Sequence, residues 1–219
     1  MTLPRFVALS FVTGAFVVFA PSPAAAEEER ASLRDIQVKV AILTLPNDSV
    51  PAVLARSLAK HEPNGPGVLP AAEATKLIAE VSRLRGADLV NPPAATVQEG
   101  QEGIVEVLRN FMLRGAGDVN GVIELGVRTS FSAMLLPAGK DTPTIDLTFQ
   151  ASLTELRPNA QPPFTAESIA YLDLKAKPGI VPVGATAVFH LPQPGAPNSV
   201  WFLVTPTPKQ APKLAPARR

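Results

Sequence analysis

The chain has 219 residues, among them 24 prolines and no cysteine, with 20 basic and 19 acidic side chains. That balance provides no basic field for nucleic acid and no acidic run for storing cations, and the missing thiols exclude disulfides and Cys-ligated metals. The length suits one ordinary core or two small ones, and the prolines fall between periodic segments, so they punctuate a fold rather than dissolve it.

At the amino terminus, Arg5 precedes an apolar run over residues 6–20, and Ala24-Ala25-Ala26 follows as a small-residue cleavage phrase. This order reads as a secretory signal peptide over residues 1–26, too short in its apolar part for a spanning helix. Its removal takes Arg5 away and leaves 19 basic and 19 acidic residues. Residues 27–34 (EEERASLR) then read as a flexible lead-in.

Ile36, Val38, Val40 and Ile42 recur at period two, the mark of a half-buried strand. Asn47, Asp48 and Ser49 offer caps and Pro51 suits a first turn, so residues 50–60 are expected as a short helix with Val53, Leu54 and Leu58 inward. Residues 62–70 (EPNGPGVLP) read as a loop. A second helix is expected over residues 74–84, where Ala74, Leu77, Ile78, Val81 and Leu84 keep helical spacing and Gly86 supplies the stop.

Everything after Gly86 reads as sheet. Residues 87–90 and 95–98 are brief strands, with Pro92-Pro93 between them and a turn at residues 99–103. Residues 104–113 place Val105, Val107, Phe111 and Leu113 on one side, and a glycine-rich turn over 115–121 reverses the chain. Ile123, Leu125, Val127, Phe131 and Ala133 then alternate with Glu124, Arg128, Ser130 and Ser132. After a turn at residues 139–141, Ile145, Leu147, Phe149, Ala151 and Leu153 alternate with Asp146, Thr148, Gln150, Ser152 and Thr154, the clearest strand in the chain. Further strands are expected over 168–174, 180–191 and 200–205, with a disordered Pro/Lys-rich tail over 207–219. The fold class is α+β, two helices on a largely antiparallel β-sheet, in one domain over residues 35–206.

No motif carries catalytic chemistry. His61 and His190 are the only histidines, one on an expected helix and one at a strand end, so a metal site or triad would consume nearly all of them. There is no nucleophile elbow, phosphate loop or dinucleotide fingerprint, and Asp118 and Asn120 lack the closing glutamate of a calcium loop. Glu99 and Glu102 read as solvated turn residues. Trp201 and Phe202 are neighbours on a strand and so face opposite sides, which points to packing rather than an aromatic girdle. The residues therefore supply no catalytic, cofactor-binding or metal-ligating site, and no cofactor.

Two phrases carry a resemblance. Lys177-Pro178-Gly179-Ile180-Val181-Pro182-Val183-Gly184-Ala185, followed by Val200-Trp201-Phe202-Leu203-Val204-Thr205-Pro206, resembles the end of the secretin domain, the ring-forming outer-membrane channel of type II and III secretion and type IV pilus systems. The order of the earlier pieces is similar to that domain over residues 36–206: the helix at 74–84, the strand 86–90 with Pro92-Pro93, the turn at 99–102, and Gly126-Val127, Leu136-Pro137, Lys140-Asp141 and Ile145-Asp146-Leu147. The resemblance implies an exported, non-enzymatic structural component of a secretion or pilus-type assembly, with partners drawn from its own copies in a ring or from other secretion components. The alternative is a free periplasmic β-rich binding domain that has lost the pore. Two departures bear on this. Leu113 reaches Val122 through one short turn where the family inserts its gate hairpins, and His190 reaches Val200 through nine residues where the family carries a longer, membrane-facing segment. The amino-terminal ring modules of the family are also expected to be absent.

The leader gives the first testable outcome. Amino-terminal sequencing of exported protein should begin at Glu27, and material that still begins at Met1 would contradict cleavage after Ala26.

Overall fold

A computed structural model describes residues 34–59, 65–114, 120–136, 142–157, 160–161, 164–193 and 195–209, with positions 114 and 120 described in backbone only. The expected signal peptide, most of the lead-in, residues 115–119 of the expected glycine-rich turn, the expected turn at 139–141, and residues 210–219 of the expected tail lie outside the described residues.

Strand β1 (Asp35–Pro46) buries Ile36, Val38, Val40 and Ile42 as the period-two pattern predicts. It also buries Ala41, Leu43 and Leu45 on its other face, because it is central and covered on both sides. A 3-10 turn at Asn47–Ser49 leads to helix α1 (Ala52–Ala59), whose Leu54 is fully buried. The segment expected as a loop over 62–70 contains a strand, β2 (Gly67–Leu69). Pro70 then caps helix α2 (Ala71–Val81), which turns Ala74, Leu77 and Val81 inward. Gly86, at φ +81°, reverses the chain after it, a backbone state that costs glycine little.

β3 (Asp88–Val90) and β4 (Ala95–Gln98) follow, both pairing antiparallel with β1, at Ile42–Thr44 and Asp35–Val38 respectively. Three long strands come next: β5 (Glu102–Arg114), β6 (Asn120–Leu136) and β7 (Thr144–Leu156). β8 (Ile169–Lys175), β9 (Gly179–Pro182), β10 (Thr186–Leu191) and β11 (Asn198–Pro208) complete the chain.

These strands form two sheets. The first runs β2-β10-β11-β1-β3, with β4 also on β1; the second runs β5-β6-β7-β8, with β9 also on β7. The chain is thus α+β with antiparallel strands throughout, and the helices lie on the first sheet. Two apolar layers result. One lies between helices and first sheet, around Leu43, Leu54, Leu77, Trp201 and Leu203; the other lies between the two sheets, around Ile36, Phe131, Phe149, Phe189 and Phe202.

The sequence expectation of a single strand over 180–191 is corrected. Val183 and Gly184 turn the chain, Gly184 at φ +84°, so Gly179–Pro182 pairs with β7 in the second sheet while Thr186–Leu191 pairs with β11 in the first. Residues 180–185 hold no polar side chain, so no polar residue marks this change of sheet, although Ile180 is exposed while Thr186–Phe189 and Leu191 are buried. The closing strand also extends beyond the expected Thr205, so that Thr207 and Pro208, read from sequence as tail, pair with Gln37 and Ile36. Pro206 and Pro208 are tolerated because β10 pairs with β11 only up to Val204, leaving the remainder of that strand as an edge.

The centre of the inter-sheet layer is Phe149, with no exposed surface, stacked on Phe189 at 4.6 Å between centroids and tilted against Phe202 at 5.3 Å. Along β7, Ile145, Leu147, Ala151 and Leu153 share its buried face, while Gln150 is exposed and Asp146, Thr148, Ser152 and Thr154 are half-buried. Phe149→Ala is expected to lower stability by about 3–5 kcal/mol and Thr148→Ala by under about 1 kcal/mol, as read from urea unfolding midpoints. Equal losses at the two positions would contradict this register.

Candidate assembly surface

Among the described residues the second sheet ends in two unpaired edges. β5 is hydrogen-bonded only to β6 among the described strands, so its other side presents main-chain donors and acceptors along 13 residues, on the order of 40 Å at the rise of a strand. The opposite edge is composite: β8 pairs with Gln150–Leu156 of β7 and β9 with Thr144–Leu147, end to end along the same side. A long, uncapped edge is a template for another strand, a feature that monomeric proteins generally suppress.

The face of the second sheet turned away from the first mixes polar and exposed apolar side chains. Ser130, Gln150, Asp173 and Lys175 line a shallow hollow of about 300 Å³, and Arg128 pairs with Glu106 on the neighbouring strand at 2.5 Å. Both members of that pair are well exposed, so it contributes little stability. The apolar side of the same strands is occupied by the first sheet. On the outward side Ile104, Met134, Tyr171 and Ile180 also stand exposed, and near the far end of the β5–β6 hairpin Met112 and Val122, 61% and 62% exposed, stand opposite one another. That end reaches beyond β7, whose pairing with β6 ends at Gly126. Gly126 has φ +140°, and a Cβ there would collide with the Val107 carbonyl. Phe164 packs edge-on against Phe111, with centroids 5.2 Å apart, and supports the arm from beside it.

The residues weighed for chemistry are dispersed. His61, Asp118 and the side chain of Asn120 lie outside the described residues. His190 lies on the stretch of β10 that extends past β2 and stacks on Trp201, its cross-strand partner, at 4.2 Å. Trp201 donates its indole N–H to Ser199 Oγ at 2.9 Å and faces the helices, while Phe202 faces the other sheet, so the two aromatics divide between the layers as alternation requires. Among the described residues no three metal-ligating side chains cluster.

Glu99 differs from its sequence reading as a solvated turn residue. Its carboxylate accepts from the Arg34 backbone N–H at 3.2 Å and from that of Leu135 at 3.0 Å, tying the turn before β5 to the start of β1 and the end of β6. Such a contact joins residues far apart in sequence, and no local pattern announces it.

Two groups are shifted in opposite directions. Burial lowers the pKa of His190, and burial raises that of Glu155, whose carboxylate accepts from Gln193 Nε2 at 3.1 Å. The lowered histidine means that the unfolded chain binds a proton more readily, so its contribution to stability is complete above the unfolded value of 6.5 and is lost as pH falls below it. Glu155 acts with the opposite sign, stability falling as pH rises through the range above 4.5. Comparing urea midpoints at pH 7.5 and 5.5 for the protein and for His190→Phe isolates the first effect. The protein should lose more stability than the variant on acidification, and parallel losses would contradict a histidine held neutral.

No family model matches the chain, and no curated protein does. Solved structures do. The chain is similar to the T2SS secretin XcpQ from Pseudomonas aeruginosa (13% identity, TM-score 0.42), covering 86% of this chain and 63% of that one. It is similar to the InvG secretin-domain β-barrel of the Salmonella SPI-1 injectisome (10%, TM-score 0.46), covering 88% and 68%. It is also similar to Aeromonas hydrophila ExeD (10%, TM-score 0.42), covering 86% and 52%. The chain therefore spans between about half and two thirds of the length of these solved chains.

Proposed function

We propose that this chain is an exported, non-enzymatic, secretin-like structural subunit of an outer-membrane secretion or pilus-type assembly, joining its own copies through the edges of the second sheet. The observation that carries the reading is the pair of open edges on one continuous sheet, a β5 edge on one side and a composite β8/β9 edge on the other. Because the two edges differ, their contact is head-to-tail, and a head-to-tail contact closes into a ring or continues as a filament. β5 and β8 run antiparallel to one another across the intervening strands, so a β8 edge continues onto the β5 edge of a second copy without breaking the alternation of strand direction. The ordered phrases from Ala74 to Pro206 that resemble the secretin domain support the same class of role. Its place is the periplasm or the outer membrane, as the leader and the resemblance both suggest.

Sedimentation velocity on the purified protein, with and without detergent, tests the proposal. A species of many copies is expected in at least one condition. A monomer at every concentration in both conditions would overturn self-assembly and favour the free periplasmic binding domain.

A further inference from the structure

A trough of about 470 Å³ lies on the helix-side face of the first sheet, between α2 and the loop that joins β3 to β4. Two rows of the sheet form its floor. In one, Ala41 stands opposite Leu203, beneath Ala74 and Ile78 of α2; in the next, Lys39 stands opposite Thr205, and Thr205 shares a hydroxyl hydrogen bond of 2.8 Å with Thr186. The floor therefore passes from apolar to polar over a single step along β1.

The trough is open because α2 presents small side chains to it. Ala71, Ala74 and Thr75 occupy helix positions from which larger residues would close the gap. Lys39 is exposed at the polar end and has no ion pair among the described residues. An apolar bed of this size with a few convergent polar groups has the general form of a small-molecule site. Its single cation selects a monoanion, since a phosphate or a polyanion calls for an arginine fork or several positive groups.

We propose that this trough binds a single-chain fatty carboxylate. The alkyl chain lies along Ala41, Leu203, Ala74 and Ile78, and the carboxylate meets the Lys39 ammonium with the Thr205 hydroxyl beside it. The site lies on the first sheet, apart from the β5 and β8/β9 edges, so it stands or falls independently of assembly.

Isothermal titration of the purified protein with sodium octanoate, and separately with 1-octanol, tests it. Octanoate should bind saturably at one site, and octanol at least about tenfold more weakly, the scale of one charge-assisted hydrogen bond. Lys39→Gln should weaken octanoate by a similar factor and leave octanol unchanged. Ala71→Leu, which fills the trough from an exposed helix position, should abolish binding of both, with thermal melting confirming that each variant is folded. Absence of saturable octanoate binding, or equal affinity in the protein and in folded Lys39→Gln, would overturn the proposal.

Discussion

The apolar face of β7 is used once, and the rest of the architecture depends on how it is used. Ile145, Leu147, Phe149, Ala151 and Leu153 lie against the first sheet, with Phe149 between Phe189 and Phe202. A sheet with one apolar face has one place to bury it. Here that place is the first sheet, and the outward side of the second sheet carries Ser, Thr, Gln and charged residues with exposed Ile104, Met134, Tyr171 and Ile180 among them.

The same constraint explains the composition of the first sheet. Lying between helices and second sheet, β1 and β11 are apolar on both faces, so Ala41, Leu43 and Leu45 are buried alongside Ile36, Val38, Val40 and Ile42. Polar groups in these layers are satisfied locally: Thr129, buried in the inter-sheet layer, donates to the Val105 carbonyl at 3.0 Å, and Ser57 donates to that of Leu54 at 2.7 Å. Close approach also demands glycine. A side chain at Gly103 would collide with Val97 and Phe131 where the chain passes from one sheet to the other.

Sequence pattern captured those elements whose burial is one-sided and local. The alternation along β6 and β7, and the spacing of Ala74, Leu77 and Val81 on α2, each report a single buried face. What it did not capture depends on partners distant in sequence. β2 has three residues in a Pro/Gly-rich stretch and is a strand only because β10 lies beside it. Over 180–191 only Thr186 and His190 are polar, so no polar residue marks the change of sheet at Gly184 itself. The strand through Pro206 and Pro208 contradicts the usual meaning of proline, and only the absence of β10 there permits it. The candidate surface was legible as polar residues along strands, but its two open edges belong to the topology and not to any motif.

The most direct test of the account uses the absence of native cysteine. Single cysteines at Gln150 and Ala151, neighbours on β7 that face opposite sides, are labelled with a water-soluble maleimide in buffer and again in lipid vesicles. The account requires rapid labelling at 150 and protection at 151 in both settings, because the face bearing Ala151 is held by the first sheet. Labelling at 151 in buffer, or quenching of a probe at 151 by lipid-phase quenchers in vesicles, would contradict it.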